Sequence, residues 1–414
     1  MSSGGDVFDR PKTYTGRWTD QQMNDFRQVT DDPADAVIAE FFEGEANKAI
    51  GEAIEPHALL MQLMNDRISG PDISPQHAAG ESVDDESVPV SKQLLDRLAQ
   101  RCPLPVVPPE EVREGQELFQ NYGPEVLLNL ACFSLPMAYG AAKGAMVLHE
   151  TGYLENRVQR RLIETTQMVV DVMKPDGLKP GGDGLRTAHE IRLMHAAIRF
   201  LIKHRDPNWD TENLGQPINQ EDMAGTLMTF SYVVLKGLHK LGIRVERDAQ
   251  EAYLRAWCYI GRTMGLNEDL LPRDLQEAQQ LTWFIYDRQM GGAEQGRKLM
   301  KALLDTMSAH LPKIARWFAP SALRVMMEKD LADKLAVPRH PLSDTVTFAL
   351  LHLYAGVNNL INIDALGFNP HRWFSKLAIE AVTFIGRGHD RRATFMIPEE
   401  LHEYWKKPPK KKRR

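Results

Sequence analysis

From Leu94 onward the apolar residues of this 414-residue chain recur at spacings of three and four almost without a break. That spacing lays an apolar stripe along each helix, whereas the strict alternation of a half-buried strand is nearly absent. Segments 94–98, 126–135, 158–173, 191–202, 223–241, 252–264, 270–286, 298–307, 323–335, 345–361 and 374–385 all carry it. The chain is therefore expected to be all-α. Hydrophobic residues make up 43 % of it, enough to bury a large core.

Segment 69–91 breaks the pattern. It is rich in Gly, Pro, Ser and Asp and reads as a long loop or disordered insertion. The helical arm before it is short for an independent core and is expected to pack on the body. The expected organisation is an N-terminal extension over 1–30, one all-α domain over 31–400 and a basic tail over 401–414. No internal repeat of fixed period is found.

Composition excludes several classes. A formal net charge of −6 gives no general attraction to nucleic acid. The basic block 406–414 reads as a solvated tail or a nuclear-import or anionic-surface tag. Cys102, Cys132 and Cys258 are far apart, so neither a disulfide scaffold nor a structural zinc site is expected. No apolar run reaches the roughly 18 residues of a membrane helix. Residues 1–6 lack the basic start and apolar run of a secretory signal, so the cytoplasm is the default expectation. His149-Glu150 and His189-Glu190 begin like zinc-protease helices, but Tyr153 and Leu193 stand where the second histidine belongs. The glycine-rich 180–184 follows a helix rather than a strand and reads as a tight helix–helix connection.

His195 lies in an apolar helical run, with Arg192 three residues before it and Arg199 four after. On a helix the three share one face. An imidazole flanked by two guanidiniums suits a haem, the ring ligating iron and the arginines pairing with propionates. A core histidine with two surface arginines meets the same spacing. The preceding helix places Arg161, Glu164 and Thr165 side by side, as a distal pocket would require, but Arg160 and Glu164 equally suit a surface ion pair.

The order of several motifs adds a resemblance. Leu148-His149-Glu150-Thr151-Gly152-Tyr153-Leu154, Arg160-Arg161-Leu162-Ile163-Glu164-Thr165, Leu178-Lys179-Pro180-Gly181-Gly182-Asp183-Gly184 and the run from Arg192 to Arg199 follow one another. Asp32-Pro33-Ala34-Asp35, Phe119-Gln120-Asn121-Tyr122-Gly123, Ser134-Leu135-Pro136 with Tyr139, and Trp257 with Ile260-Gly261-Arg262 accompany them. Together these resemble the latex clearing protein family of rubber oxygenases, whose wider group includes the membrane-bound fungal oxygenase of the mycophenolic acid pathway.

The resemblance implies a globin-like all-α core holding one b-type haem. His195 would be the proximal iron ligand, Arg192 and Arg199 haem-pocket arginines, and Arg161 and Thr165 distal residues. The implied reaction is dioxygen-dependent cleavage of carbon–carbon double bonds of poly(cis-1,4-isoprene), giving an aldehyde and a ketone. Two departures stand out. Glu164 occupies the place of a lysine that can ligate iron in the family, so a five-coordinate or water-bound iron is expected. The family's proposed base falls near Ala145, which is no acid, and Glu150 is the nearest carboxylate in sequence. Glu164 is therefore the expected base, its pKa raised by an apolar pocket unless Arg161 compensates. The expected partners are a hydrophobic isoprenoid and dioxygen, and the expected assembly is a monomer or small homo-oligomer. Secretion is the alternative location if rubber is the substrate. The alternative activities are a haem oxygenase or peroxygenase on a smaller lipid or isoprenoid, a non-catalytic haem-binding protein, and a helical scaffold without cofactor.

Overall fold

The computed structural model describes residues 6–14, 16–43, 90–102, 109–150, 158–205, 209–291, 293–309 and 311–361. Among these every regular element is helical, and one bridge, Ala141 with Met290, is the only extended pairing. The first helices are α1 (Asp20–Arg27), α2 (Asp32–Glu43), α3 (Val90–Arg101) and α4 (Pro109–Asn129). A π-helical turn, Leu130–Ser134, leads into α5 (Leu135–Gly140) and α6 (Ala142–Glu150). Then come α7 (Val158–Met173), α8 (Asp183–Arg205), α9 (Thr211–Leu214), α10 (Gln220–Phe230), α11 (Tyr232–Leu241) and α12 (Arg247–Thr263). The last are α13 (Leu275–Gln289), α14 (Glu294–Ala309), α15 (Phe318–Met326), α16 (Lys329–Lys334) and α17 (Pro341–Ile361).

Two expected helices are each split in two. Segment 223–241 breaks at Ser231, whose hydroxyl donates back to the Leu227 carbonyl at 2.8 Å, competing with the helix ladder. Segment 323–335 breaks at Met327, which is extended. Residues 270–274 precede α13 as a 3₁₀ turn and an Asp274 cap rather than joining it, because Pro272 cannot continue a helix. Residues 69–89, 374–385 and 401–414 lie outside the described residues, while Val90 and Ser91, expected in the loop, open α3.

Two apolar clusters form. The larger gathers α4–α7 and α10–α15, with Trp257, Phe133, Tyr232 and Tyr253 fully buried. The smaller joins α2, α3 and α8 through Val37, Ile38, Leu98, Leu193 and Ala197. Helix α8 contributes to both, Ile191 to the large cluster and Leu193 to the small one. The N-terminal arm packs on the body as expected: Phe8 and Trp18 are buried, and Trp18 donates its indole N–H to the Asp269 carbonyl at 2.8 Å.

Candidate functional site

Helices α7 and α8 are joined by the glycine-rich connection expected from the sequence. Gly181 takes φ +78°, and a Cβ on Gly184 would stand 2.4 Å from the Asp171 carbonyl oxygen. A side chain at position 184 would therefore force the two helices apart at their joint. Lys174 and Asp183 form an ion pair across the turn.

One hydrogen bond fixes the register of this antiparallel pair. The Thr187 hydroxyl donates to Asp171 Oδ2 at 3.0 Å. Asp171 also accepts from Gln167 Nε2 at 2.7 Å. Burial pushes the Asp171 carboxyl above the usual range against the pull of these two bonds. Both helices rise equally per residue, so seven residues further along Met194 stands level with Glu164, and His195 lies one residue beyond. Glu164 is 8 % exposed on the same side of α7 as Asp171; Thr165 and His195 are half-buried. Arg161 lies on α7 four residues before Thr165, but its side chain falls outside the described residues.

Taking the direction of Thr187 as reference, Ile191, Met194 and Ile198 fall within about 40° of it, facing α7. His195 falls about 80° away, and Arg199 and Arg192 about 120° and 140°. His195 thus sits at the edge between the α7 side and the α2 side. The two arginines are on the α2 side, and there the structure gives them partners that the spacing did not suggest. Arg192 forks onto Asp31, Nε to Oδ2 at 2.6 Å and Nη2 to Oδ1 at 2.8 Å, and donates Nη1 to the Thr263 carbonyl at 3.1 Å. Arg199, 1 % exposed, donates Nε to Asp35 Oδ1 at 2.7 Å and Nη1 to the Ile218 carbonyl at 3.4 Å. Asp35 in turn accepts from the Thr30 hydroxyl at 2.7 Å. Gly265, at φ +88°, carries the chain past the Arg192–Asp31 pair, where a Cβ would lie 2.3 Å from Asp31 Oδ2.

These contacts bear on a haem in two opposite ways. A half-buried imidazole on a rigid helix, beside apolar Ile191, Met194 and Ile198, is a donor that haem iron accepts. Of the arginines assigned to propionates by the resemblance, Arg192 already binds a carboxylate with the fork geometry a propionate would use, and Arg199 holds one carboxylate oxygen. In this structure those carboxylates are Asp31 and Asp35, which the spacing did not suggest. The signal was present: two aspartates four residues apart at the start of α2, and two arginines seven apart on α8.

A second missed residue is Glu190. Burial pushes its carboxyl up from 4.5 to about 7, with Arg186 pulling the other way. The neighbouring His189 is driven the opposite way, to about 4, by burial and then Arg192, and stays neutral. A carboxyl with a raised folded pKa holds its proton better in the folded state, so its contribution is full below pH 4.5 and is lost as pH climbs through 7. Glu190→Gln is expected to remove this slope, worth about 3 kcal/mol between those limits, as read by urea midpoints against pH. A wild-type and variant difference that stays constant over that window would contradict it.

The comparisons with known proteins agree with this architecture. The family described as "ER-bound oxygenase mpaB/B'/Rubber oxygenase, catalytic domain" matches residues 118–357, which enclose α7 and α8. The rubber oxygenase of Streptomyces sp. (strain K30) is 24 % identical over 242 residues, 58 % of this chain and 59 % of that protein. The matched region thus spans less than two thirds of that relative's length. The solved structure of latex clearing protein LCP in the closed state superposes with a TM-score of 0.62 at 19 % identity, covering 87 % of this chain and 91 % of that one, and shows the shared all-α fold. The chain belongs to the MpaB and rubber oxygenase catalytic-domain family.

Proposed function

We propose that this protein is a haem b-dependent oxygenase that cleaves carbon–carbon double bonds of poly(cis-1,4-isoprene) or a related isoprenoid. The observation that carries the reading is the placement of His195 one residue beyond the level of Glu164 on the α7–α8 pair, inside the region that matches the oxygenase family. His195 would hold the haem iron on one side. When bound, the haem supplies the dioxygen chemistry. Arg192 and Arg199, tied to Asp31 and Asp35, hold α8 against α2 and so set the position of His195.

Glu164 is the acid–base group of this reading. Its buried carboxylate takes a proton from the carbon next to the double bond and returns it as the carbonyl ends form. One alkene and one dioxygen then yield two carbonyls with no net proton change. Thr165 would donate its hydroxyl to the oxygen side, and Arg161 would offset negative charge that grows there. The apolar residues of α7 and α8 exclude water and offer an alkene no polar competitor.

Purified protein supplied with haem is expected to consume dioxygen with polyisoprene or a shorter isoprenoid and to release carbonyl products. Turnover of the short substrate alone would assign it to the smaller lipid. Haem binding without product from either would reduce the protein to a haem carrier. Glu164→Gln is expected to retain haem and lose turnover by about 10²-fold or more. A variant as active as the parent would remove Glu164 as the base.

A further inference from the structure

Helix α17 carries large apolar residues on both sides. One half of its circumference packs on α15 and α11, with Thr347, Leu351, Ala355 and Asn358 buried. The other half faces outward and carries no charged residue. Leu342 is 85 % exposed, Leu353 66 %, and Val346, Leu350 and Val357 about half. An outward apolar face of this size marks a contact surface.

The rotation of α17 is fixed, so this face is held outward. Tyr354 donates its hydroxyl to Glu125 Oε1 at 2.6 Å, and Asn358 Nδ2 donates to the same oxygen at 2.8 Å. Asn359 accepts from the Arg244 amide at 3.1 Å and donates to the Gly242 carbonyl at 2.8 Å.

We propose that the outward face of α17 is the interface through which two copies of this chain pair, with the two helices antiparallel. The outward seam itself carries the inference. Val346, Leu350, Leu353 and Val357 are separated by four, three and four residues, the spacing of a two-helix seam. The order reads the same from either end: valine, leucine, leucine, valine. A two-fold axis through the middle of the helix sets Val346 against Val357 of the partner subunit and Leu350 against Leu353 of the partner subunit, as an isologous contact requires. Ala349 and Gly356, seven residues apart and exposed beside the seam, let the second helix approach closely. The absence of charge means that like faces meet without repulsion. A helix of 21 residues is about 31 Å long, so half its surface is on the order of 500 Å². Two such halves bury on the order of 1,000 Å², the level at which specific interfaces begin. A structureless hydrocarbon or lipid surface would need the absence of charge but not the self-matching seam.

The test is sedimentation of the full chain over a range of concentrations. The wild type is expected to be a dimer. Leu353→Asp, at an exposed position, is expected to leave the thermal melt of the monomer unchanged and to weaken pairing roughly a hundredfold or more, since it places two uncompensated carboxylates in the seam. Leu350→Cys chains mixed with Leu353→Cys chains are expected to form a disulfide between copies, whereas Val346→Cys mixed with Leu353→Cys is not. A monomer at every concentration overturns the proposal, and so does a dimer that survives Leu353→Asp. A monomer that co-sediments with phosphatidylcholine vesicles or polyisoprene emulsion also overturns it, and assigns the face to an apolar surface instead.

Discussion

Asp31→Ala is expected to destabilise the fold by about 3–5 kcal/mol, the cost of leaving one partner of a buried ion pair uncompensated. Arg192 is buried, two of its nitrogens are spent on Asp31, and the change leaves it the Thr263 carbonyl and the Cys102 thiol but no carboxylate. The loss is a large share of the roughly 5–15 kcal/mol by which folded domains are stable. An exposed pair gives the contrast: Lys301 and Asp305, 2.6 Å apart on α14, are solvated, and Asp305→Ala is expected to cost under about 0.5 kcal/mol. Joint replacement, Asp31→Leu with Arg192→Met, removes both charges and is expected to recover most of the stability in chemical denaturation. That double variant also tests the role of the arginine. Retained haem affinity matches a pair that positions α8; loss of affinity in a stable double variant would return Arg192 to the propionates.

His195→Ala carries the second large effect. The variant is expected to fold, because His195 is half-buried and its helix is held by Leu193, Ala196 and Ala197 on one side and by the Thr187–Asp171 bond on the other. Circular dichroism should show unchanged helix content and a stability within about 2 kcal/mol of the parent. Haem binding is expected to be lost, and oxygen consumption with isoprenoid substrates to fall to the rate of free haem. Added imidazole is expected to restore part of the haem binding if the missing group is the ligand alone. A variant that binds haem and turns over like the parent would assign the iron to another residue.

Helix content and the packing faces were legible in the sequence because each rests on local periodicity. Segment 158–173 coincides with α7, and the connection at 180–184 is the tight turn that its glycines suggest. The breaks at Ser231 and Met327 were not legible. Neither is a proline or glycine, and apolar periodicity does not register the local bond from the Ser231 hydroxyl to the Leu227 carbonyl or the extended backbone at Met327. The arrangement around His195 was half legible. That Arg192 and Arg199 share a side of α8 follows from spacing, and the structure keeps it. Which acids they meet does not, because Asp31 and Asp35 lie more than 150 residues away in sequence, and only the fold brings α2 alongside α8. The pairing of Thr187 with Asp171, which puts Glu164 level with the histidine region, likewise depends on the length of the turn between α7 and α8.

The absorption spectrum of the full chain titrated with haemin, run beside His195→Ala, tests the central claim most directly. A Soret band that saturates at one haem per chain in the parent and fails to develop in the variant is the predicted result. An identical saturating band in both proteins, or none in the parent, would contradict it.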